Sequence, residues 1–457
     1  MPNFFPNDRN EKDRGIGIGA GIDSLGRIPL NRSIIIAISL SSFFALYDVS
    51  NFQYISPVLK SDWHLTDTEI AYAISMRVLG QVIGAFCITV CADLYGRKPA
   101  LIVSLIILVT GSILVAMSTN IFQVSIFRLI TGFGIGAEIV IATVYIGEVS
   151  PKSMRGKYTS LIFLIGAIGF AASGPVSFVL LQQYKIMGIE GWRVLMAIPG
   201  VVALLLIPLR YGMSESPRWM LSKGRIKETN RLLAELGVSP IQNQDIDSAK
   251  ITRRRSIVYT FKNKKILSRM SLFIGIWFFI LAAGAASNLL VVEYVNQGYT
   301  TTQSVAIMTI SSIGYVVGAC LSISIADRFE RKYQFVIAAL IMGFSFILRG
   351  ILIHDYLALG IAGFIGFAAN SWVLACLFTY TAENFPTRIR SIASGAAEGL
   401  GSALAAIGPI IFVLLRPFGF LNVMIGLAAF LFAAAAVITL FGNRSVGISL
   451  EQLSSAD

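Results

Sequence analysis

What most limits the fold of this 457-residue chain is an apolar stretch long enough to cross a membrane, repeated along its length. A helix rises 1.5 Å per residue, so about 20 apolar residues span roughly 30 Å of hydrocarbon. Such stretches recur at about 33–59, 68–92, 99–118, 121–147, 158–181 and 193–213, here spans 1 to 6. After a polar interval they recur at about 266–296, 302–326, 332–352, 355–382, 389–415 and 418–441, spans 7 to 12. Residues are 55% apolar and 14% charged, against about 25% charged in soluble domains, and a globule of this size could not hide that surface. The pattern predicts an all-α membrane protein with twelve transmembrane helices.

The net charge of +12 raises the possibility of a nucleic-acid partner, but the distribution excludes it. Thirty of the 37 lysines and arginines collect in every second connection and the two tails, while the alternate connections hold only Lys60, Lys185, Arg193 and Arg416. That asymmetry places both termini in the cytoplasm of a multi-pass plasma-membrane protein. The expected division is a tail at 1–32, a bundle at 33–213, a cytoplasmic linker at 214–265, a second bundle at 266–441 and a tail at 442–457. Within the linker, Arg225 to Leu236 has helical apolar spacing and ends at Gly237, which predicts a short helix against the membrane's inner face. Arg253, Arg254 and Arg255 are placed to meet anionic lipid. Cys87, Cys91, Cys320 and Cys376 lie in apolar segments and read as buried thiols; His64 and His354 form no cluster. No metal and no cofactor are expected.

The chain repeats itself. Adding 234 carries Gly80, Gly84, Asp93, Arg97 and Lys98 onto Gly314, Gly318, Asp327, Arg331 and Lys332. Adding 235 carries Tyr145, Glu148, Pro151 and Arg155 onto Tyr380, Glu383, Pro386 and Arg390. The chain therefore consists of two pseudo-symmetric halves of six helices, related by an axis along the membrane normal. Residues present in both halves serve what both need, tight packing at the G-x-x-x-G pairs and charge pairs holding the halves together on the cytoplasmic side. Asp48, Arg77, Arg128 and Glu138 instead map onto Ala282, Ser311, Gly363 and Val373, so the first half carries ionisable groups its twin lacks.

The motifs A-D-L-Y-G-R-K (Ala92 to Lys98), A-D-R-F-E-R-K (Ala326 to Lys332), R-L-I-T-G-F-G-I-G (Arg128 to Gly136), E-V-S-P-K-S-M-R-G (Glu148 to Gly156), E-S-P-R-W (Glu215 to Trp219) and E-N-F-P-T-R-I-R (Glu383 to Arg390) together resemble the major facilitator superfamily. Within it the chain is similar to the group of metabolite:proton symporters, sugar porters, organic ion transporters and phosphate:proton symporters. L-Y-D-V (Leu46 to Val49) and G-I-G-A-E (Gly134 to Glu138) resemble motifs of its acid-bearing branches. Span 7 lacks the sugar porters' glutamine pair, and Ala368 to Trp372 lacks their proline-flanked tryptophan, so a sugar is demoted but stays open. The resemblance implies the major facilitator fold and alternating access.

An ionisable side chain deep in a bilayer costs several kcal/mol unless paired or hydrated. Asp48 and Glu138 are therefore the candidate proton carriers. By depth, Asp48 could meet Arg77, either as a coupling site or as a permanent structural pair. No cation is evident at the depth of Glu138, and its alternative is a carboxyl hydrogen-bonded for packing. Arg77 and Arg128 are candidates to hold an anionic substrate. Arg349 is expected to snorkel to the interface. Asn288, Asn370, Trp372 and Glu398 fall at depths suited to line a central cavity. Asp93, Arg97, Glu148 and Arg155, with Asp327, Arg331, Glu383 and Arg390, form the expected cytoplasmic gate. These residues together predict proton-coupled symport of a small organic or inorganic anion by a monomer. The alternatives are a facilitator or symporter of a neutral solute such as a sugar, and a non-transporting nutrient sensor. No nucleophile with a base, metal cluster or phosphate loop supports an enzyme.

Overall fold

The computed structural model describes residue 30 and residues 32–183, 185–186, 188–235, 264–325, 328–385 and 390–442. Among them, twelve helices are long and apolar enough to cross a membrane. Spans 1 to 6 are Arg32–Asp62, Asp67–Tyr95, Arg97–Met117, Ile121–Val149, Lys152–Leu181 and Gly191–Tyr211. Spans 8, 9, 10 and 12 are Thr301–Ile325, Arg331–Ile351, Tyr356–Glu383 and Phe420–Phe441. Ends agree with hydropathy to within a few residues, because apolar length sets them.

Spans 7 and 11 are interrupted, which hydropathy does not register. Span 7 runs Lys264–Ala286, tightens into a 3-10 turn at Ser287–Leu289 and resumes as Leu290–Asn296. Ser287 Oγ donates to the carbonyl of Gly284 at 2.6 Å and Asn288 Nδ2 to that of Ala285 at 3.1 Å, so side chains compete for the helix's own acceptors where it breaks. Span 11 runs Arg390–Ala405, then Gly408–Leu415, and ends in the turn Arg416–Phe418.

An even number of spans in each half returns the chain to its starting side. Residue 30, the connection after span 6 and residue 442 thus share one side, the linker face; the opposite side is the loop face. The connection begins with helices Pro217–Ser222 and Ile226–Glu235, the second being the amphipathic stretch read from sequence.

The duplication is also visible in the packing. A Cβ on Gly84 would stand 2.0 Å from the carbonyl oxygen of Phe133, and one on Gly318 2.0 Å from that of Ala368. Spans 2 and 4, and equally 8 and 10, therefore touch backbone to backbone, as small-residue membrane crossings do. Lys98 Nζ donates to Tyr211 O at 2.7 Å, and its twin Lys332 to Gly442 O at 2.8 Å. The halves meet where span 1 lies against the loop-face part of span 7, span 2 against span 11 and span 5 against span 8. Across the last seam Phe170 stacks on Tyr315, with ring centres 4.6 Å apart.

The cysteines correct the sequence reading. Cys376 is buried, but Cys87 and Cys320 are exposed and Cys91 is half-buried. In a membrane the outer surface of a helix is as apolar as its core, so an apolar neighbourhood does not distinguish them.

Candidate functional site

Asp48 is buried in the first half. Its Oδ1 accepts a 3.4 Å bond from Ser112 Oγ on span 3, and its Oδ2 has no hydrogen-bond partner among the described residues. The expected pairing with Arg77 is not made. Arg77 Nη1 instead donates to Gln81 Oε1 at 2.9 Å, one turn along its own helix. Arg128 and Arg77 are the two cations close enough to act on the Asp48 carboxylate. A Cβ on Gly80 would lie 2.1 Å from Leu129 O, and one on Gly132 2.1 Å from Arg77 O, so the close crossing of spans 2 and 4 carries both arginines. The Arg128 guanidinium lies 4.2 Å from the centre of the Phe52 ring, and its Nε finds no acceptor among the described residues. Two buried guanidinia therefore face one carboxylate.

Glu138 overturns the expectation that no cation shares its depth. Arg210 of span 6 meets it through both terminal nitrogens, Nη2 to Oε1 and Nη1 to Oε2, the latter at 2.9 Å. Ser104 Oγ donates to Oε2 at 2.8 Å, and Arg210 also reaches Ser41 Oγ and the carbonyl of Leu101. The cluster ties spans 1, 3, 4 and 6 together inside one half. Charge counting by connection places Arg210 with the cytoplasmic linker. Its position inside the apolar segment 193–213 is the signal that identifies it as an intramembrane charge.

On the linker face, Arg97 binds Glu148 (Nη2 to Oε1, 2.8 Å) and Asp93 (Nη1 to Oδ1, 2.9 Å). Its twin Arg331 binds Glu383 at 2.7 Å. Each of these pairs lies within one half. They brace helices of the same bundle, which corrects the expectation that they hold the halves together. Asp327 and the side chains of Arg155 and Arg390 lie outside the described residues, as do Arg253, Arg254 and Arg255. Glu215, without a role in the sequence reading, caps span 3: its carboxylate accepts from the backbone nitrogens of Arg97 at 2.8 Å and Lys98 at 3.2 Å.

Among the described residues, the ion pair between the halves is on the opposite side. On the loop face Arg416 of span 11 pairs with Asp67 of span 2, and its Nε lies 3.1 Å from Glu293 of span 7. Lys60 of span 1 reaches Asp67 at 2.6 Å and Asn296 Oδ1 at 2.8 Å. These contacts close the loop face across the boundary between the bundles.

The four residues expected to line a cavity in the second half, Asn288, Asn370, Trp372 and Glu398, do not converge. Asn288 spends its amide donors on its own helix at the break in span 7. The Trp372 indole turns to span 9, donating to Gln334 Oε1 at 3.5 Å, and so leaves the centre. Glu398 is half-buried, with no ion pair among the described residues. Asn370 faces the break, next to Ser287 and, unexpectedly, Arg349. Arg349 does not snorkel: it is 2% exposed and donates inward, from Nη2 to the carbonyl of Gly363 at 2.9 Å. Gly363 is the position equivalent to Arg128, so each half holds a buried guanidinium, delivered in the second from span 9.

The family model described as "Sugar (and other) transporter" matches residues 36–456. The chain belongs to this family. It is a transporter of the major facilitator superfamily, a multi-pass membrane protein and not an enzyme. Among the proteins similar to this chain, the niacin transporter NiaP of Acinetobacter baylyi (strain ATCC 33305 / BD413 / ADP1) is 24% identical over 94% of this chain and 99% of its own length. The benzoate transport protein of the same organism is 25% identical over 87% of this chain and 86% of its own. The inward-open conformation of the xylose transporter XylE from E. coli superposes with a TM-score of 0.74 at 19% identity, covering 93% of this chain and 99% of that one. That likeness is one of fold.

Proposed function

We infer that this transporter is a monomeric proton-coupled symporter of a small organic anion, working by alternating access between its two halves. The observation that carries the reading is the charge imbalance around Asp48: Arg77 and Arg128, both buried, against a single carboxylate, with Asp48 Oδ2 and Arg128 Nε unpartnered among the described residues. An uncompensated charge is costly in a membrane interior, and an anionic substrate offsets one unit of it. A proton on Asp48 leaves both arginines free to hold the anion; its loss returns a competing carboxylate and favours release. Binding of proton and anion are then mutually favourable, as linkage requires. Any proton carried beyond charge balance gains about 2.3 kcal/mol per 100 mV.

Glu138, the second proton carrier expected from sequence, is held by Arg210 and Ser104, and we assign it to holding the bundle together. Glu398, with no pairing cation among the described residues, takes the second place as a titrating group. The linker face is assigned to the cytoplasm of the plasma membrane by the positive-inside rule. The brace pairs at Arg97 and Arg331 keep each half rigid while the halves rock, and the loop-face contacts break when the cavity opens outward.

The relatives named for niacin and benzoate transport support a carboxylate substrate. Uptake of labelled nicotinate, benzoate and xylose into proteoliposomes, with and without an inward proton gradient, tests the reading. Carboxylate accumulation abolished by a protonophore is the expected result. Xylose uptake indifferent to pH supports a facilitator of neutral solutes instead, and binding without flux supports a sensor.

A further inference from the structure

We propose that Arg349, with Ser287, Ser345 and Asn370, forms an anion-recognition pocket in the second half that receives one carboxylate of the transported solute. The inference rests on the anionic reading above and names a residue that reading does not use. Arg349 is buried, yet no carboxylate pairs with it among the described residues. Its Nη2 bonds to Gly363 O, and its Nε has no acceptor there. Its guanidinium carbon lies 5.4 and 5.5 Å from the ring centres of Phe346 and Phe367, which hold it in place without neutralising it. Arg210, by contrast, is equally buried but has Glu138 as its counter-charge.

The surroundings are shaped for a ligand. A Cβ on Gly366 would lie 2.9 Å from Arg349 Nη2 and 2.2 Å from Ser345 Oγ, so glycine there makes the room that the guanidinium and hydroxyl occupy. Beside them is a void of about 10 Å³, the space of one water or one carboxylate oxygen, bordered by Ser287, Ser345, Arg349 and Asn370. Ser287 belongs to the broken part of span 7, where the helix can flex. The far wall is Phe367, whose ring lies 5.5 Å from that of Phe170 in the other half. The pocket is thus one aromatic ring from the seam between the bundles, and separation of Phe170 from Phe367 opens it to the centre. The Arg349 guanidinium and the Asn370 amide provide donors for both oxygens of a carboxylate, while the hydroxyls of Ser287 and Ser345 already donate to the carbonyls of Gly284 and Met342.

The test is ligand-induced thermal stabilisation of the purified full-length protein, titrated with the dicarboxylate sodium terephthalate, with sodium benzoate, xylose and sodium chloride. The expected result is stabilisation of the wild type by a carboxylate. In Arg349→Gln the half-saturating concentration should rise roughly tenfold to a hundredfold, as loss of a charge-assisted hydrogen bond implies. Arg349→Lys should lie between the two. Asn370→Asp, which places a competing carboxylate at the void, should abolish the response and stands in if Arg349→Gln does not fold. A lower melting temperature with an unchanged half-saturating concentration makes Arg349 structural and overturns the proposal. So does a response to chloride alone. If xylose stabilises the wild type and no carboxylate does, the anionic reading itself fails; if carboxylates stabilise wild type and Arg349→Gln alike, only this pocket fails.

Discussion

Glu138 and Arg210 form a two-point ion pair with neither side chain exposed, joining span 4 to span 6 in the interior of the first half. Breaking a buried pair by removing one partner leaves an uncompensated charge and costs about 3–5 kcal/mol. Arg210→Met should therefore lower the melting temperature of the purified protein sharply, and Glu138→Gln should do the same. The double variant Glu138→Gln/Arg210→Met should recover much of the loss. A Glu138→Gln protein with wild-type stability that has lost only its proton dependence would instead make Glu138 a proton carrier.

The loop-face network sets a second expectation. Arg416 pairs with Asp67 and Glu293, and partly exposed pairs of this kind contribute up to about 1 kcal/mol each. Arg416→Asp should shift the population roughly fivefold or more toward states open on that face. Labelling of single cysteines placed beside spans 2 and 11 measures the shift. A population unchanged by Arg416→Asp would assign the closure to packing.

Glycine substitution separates contact from propensity. A Cβ at Gly84 meets a backbone carbonyl at 2.0 Å, which cannot move aside, whereas one at Gly399 meets nothing within 4 Å. Gly84→Ala should cost about 1–3 kcal/mol through overpacking. Gly399→Ala should be neutral or stabilising by up to about 1 kcal/mol, because alanine favours helix. Thermal unfolding of both variants checks this.

The structure shows which of its features the sequence makes legible. Apolar length located all twelve spans, and the offsets of 234 and 235 led to the glycine crossings and to the paired braces at Arg97 and Arg331. Depth along a helix was less informative about partners. It brought Asp48 and Arg77 to one level, but not the rotation that turns Arg77 onto Gln81. Arg349 lies two residues from the end of span 9, where a long side chain can run either way; glycines on span 10 decide that it runs inward. The breaks in spans 7 and 11 depend on local hydrogen bonds and tertiary packing, to which hydropathy is blind.

Glu215 offers a smaller test of the linker face. Its carboxylate caps two backbone nitrogens at the start of span 3, so Glu215→Ala should destabilise the first half by about 1 kcal/mol. Hydrogen exchange of the first turn of span 3 reports it directly.

Coupling through Asp48 is measured most directly by recording lumenal pH with a trapped dye while a carboxylate is added to proteoliposomes. Wild type should acidify the lumen as substrate enters. Asp48→Asn should exchange labelled for unlabelled substrate while moving no protons. Acidification by Asp48→Asn equal to that of wild type, or wild-type uptake that never changes lumenal pH, would contradict the assignment.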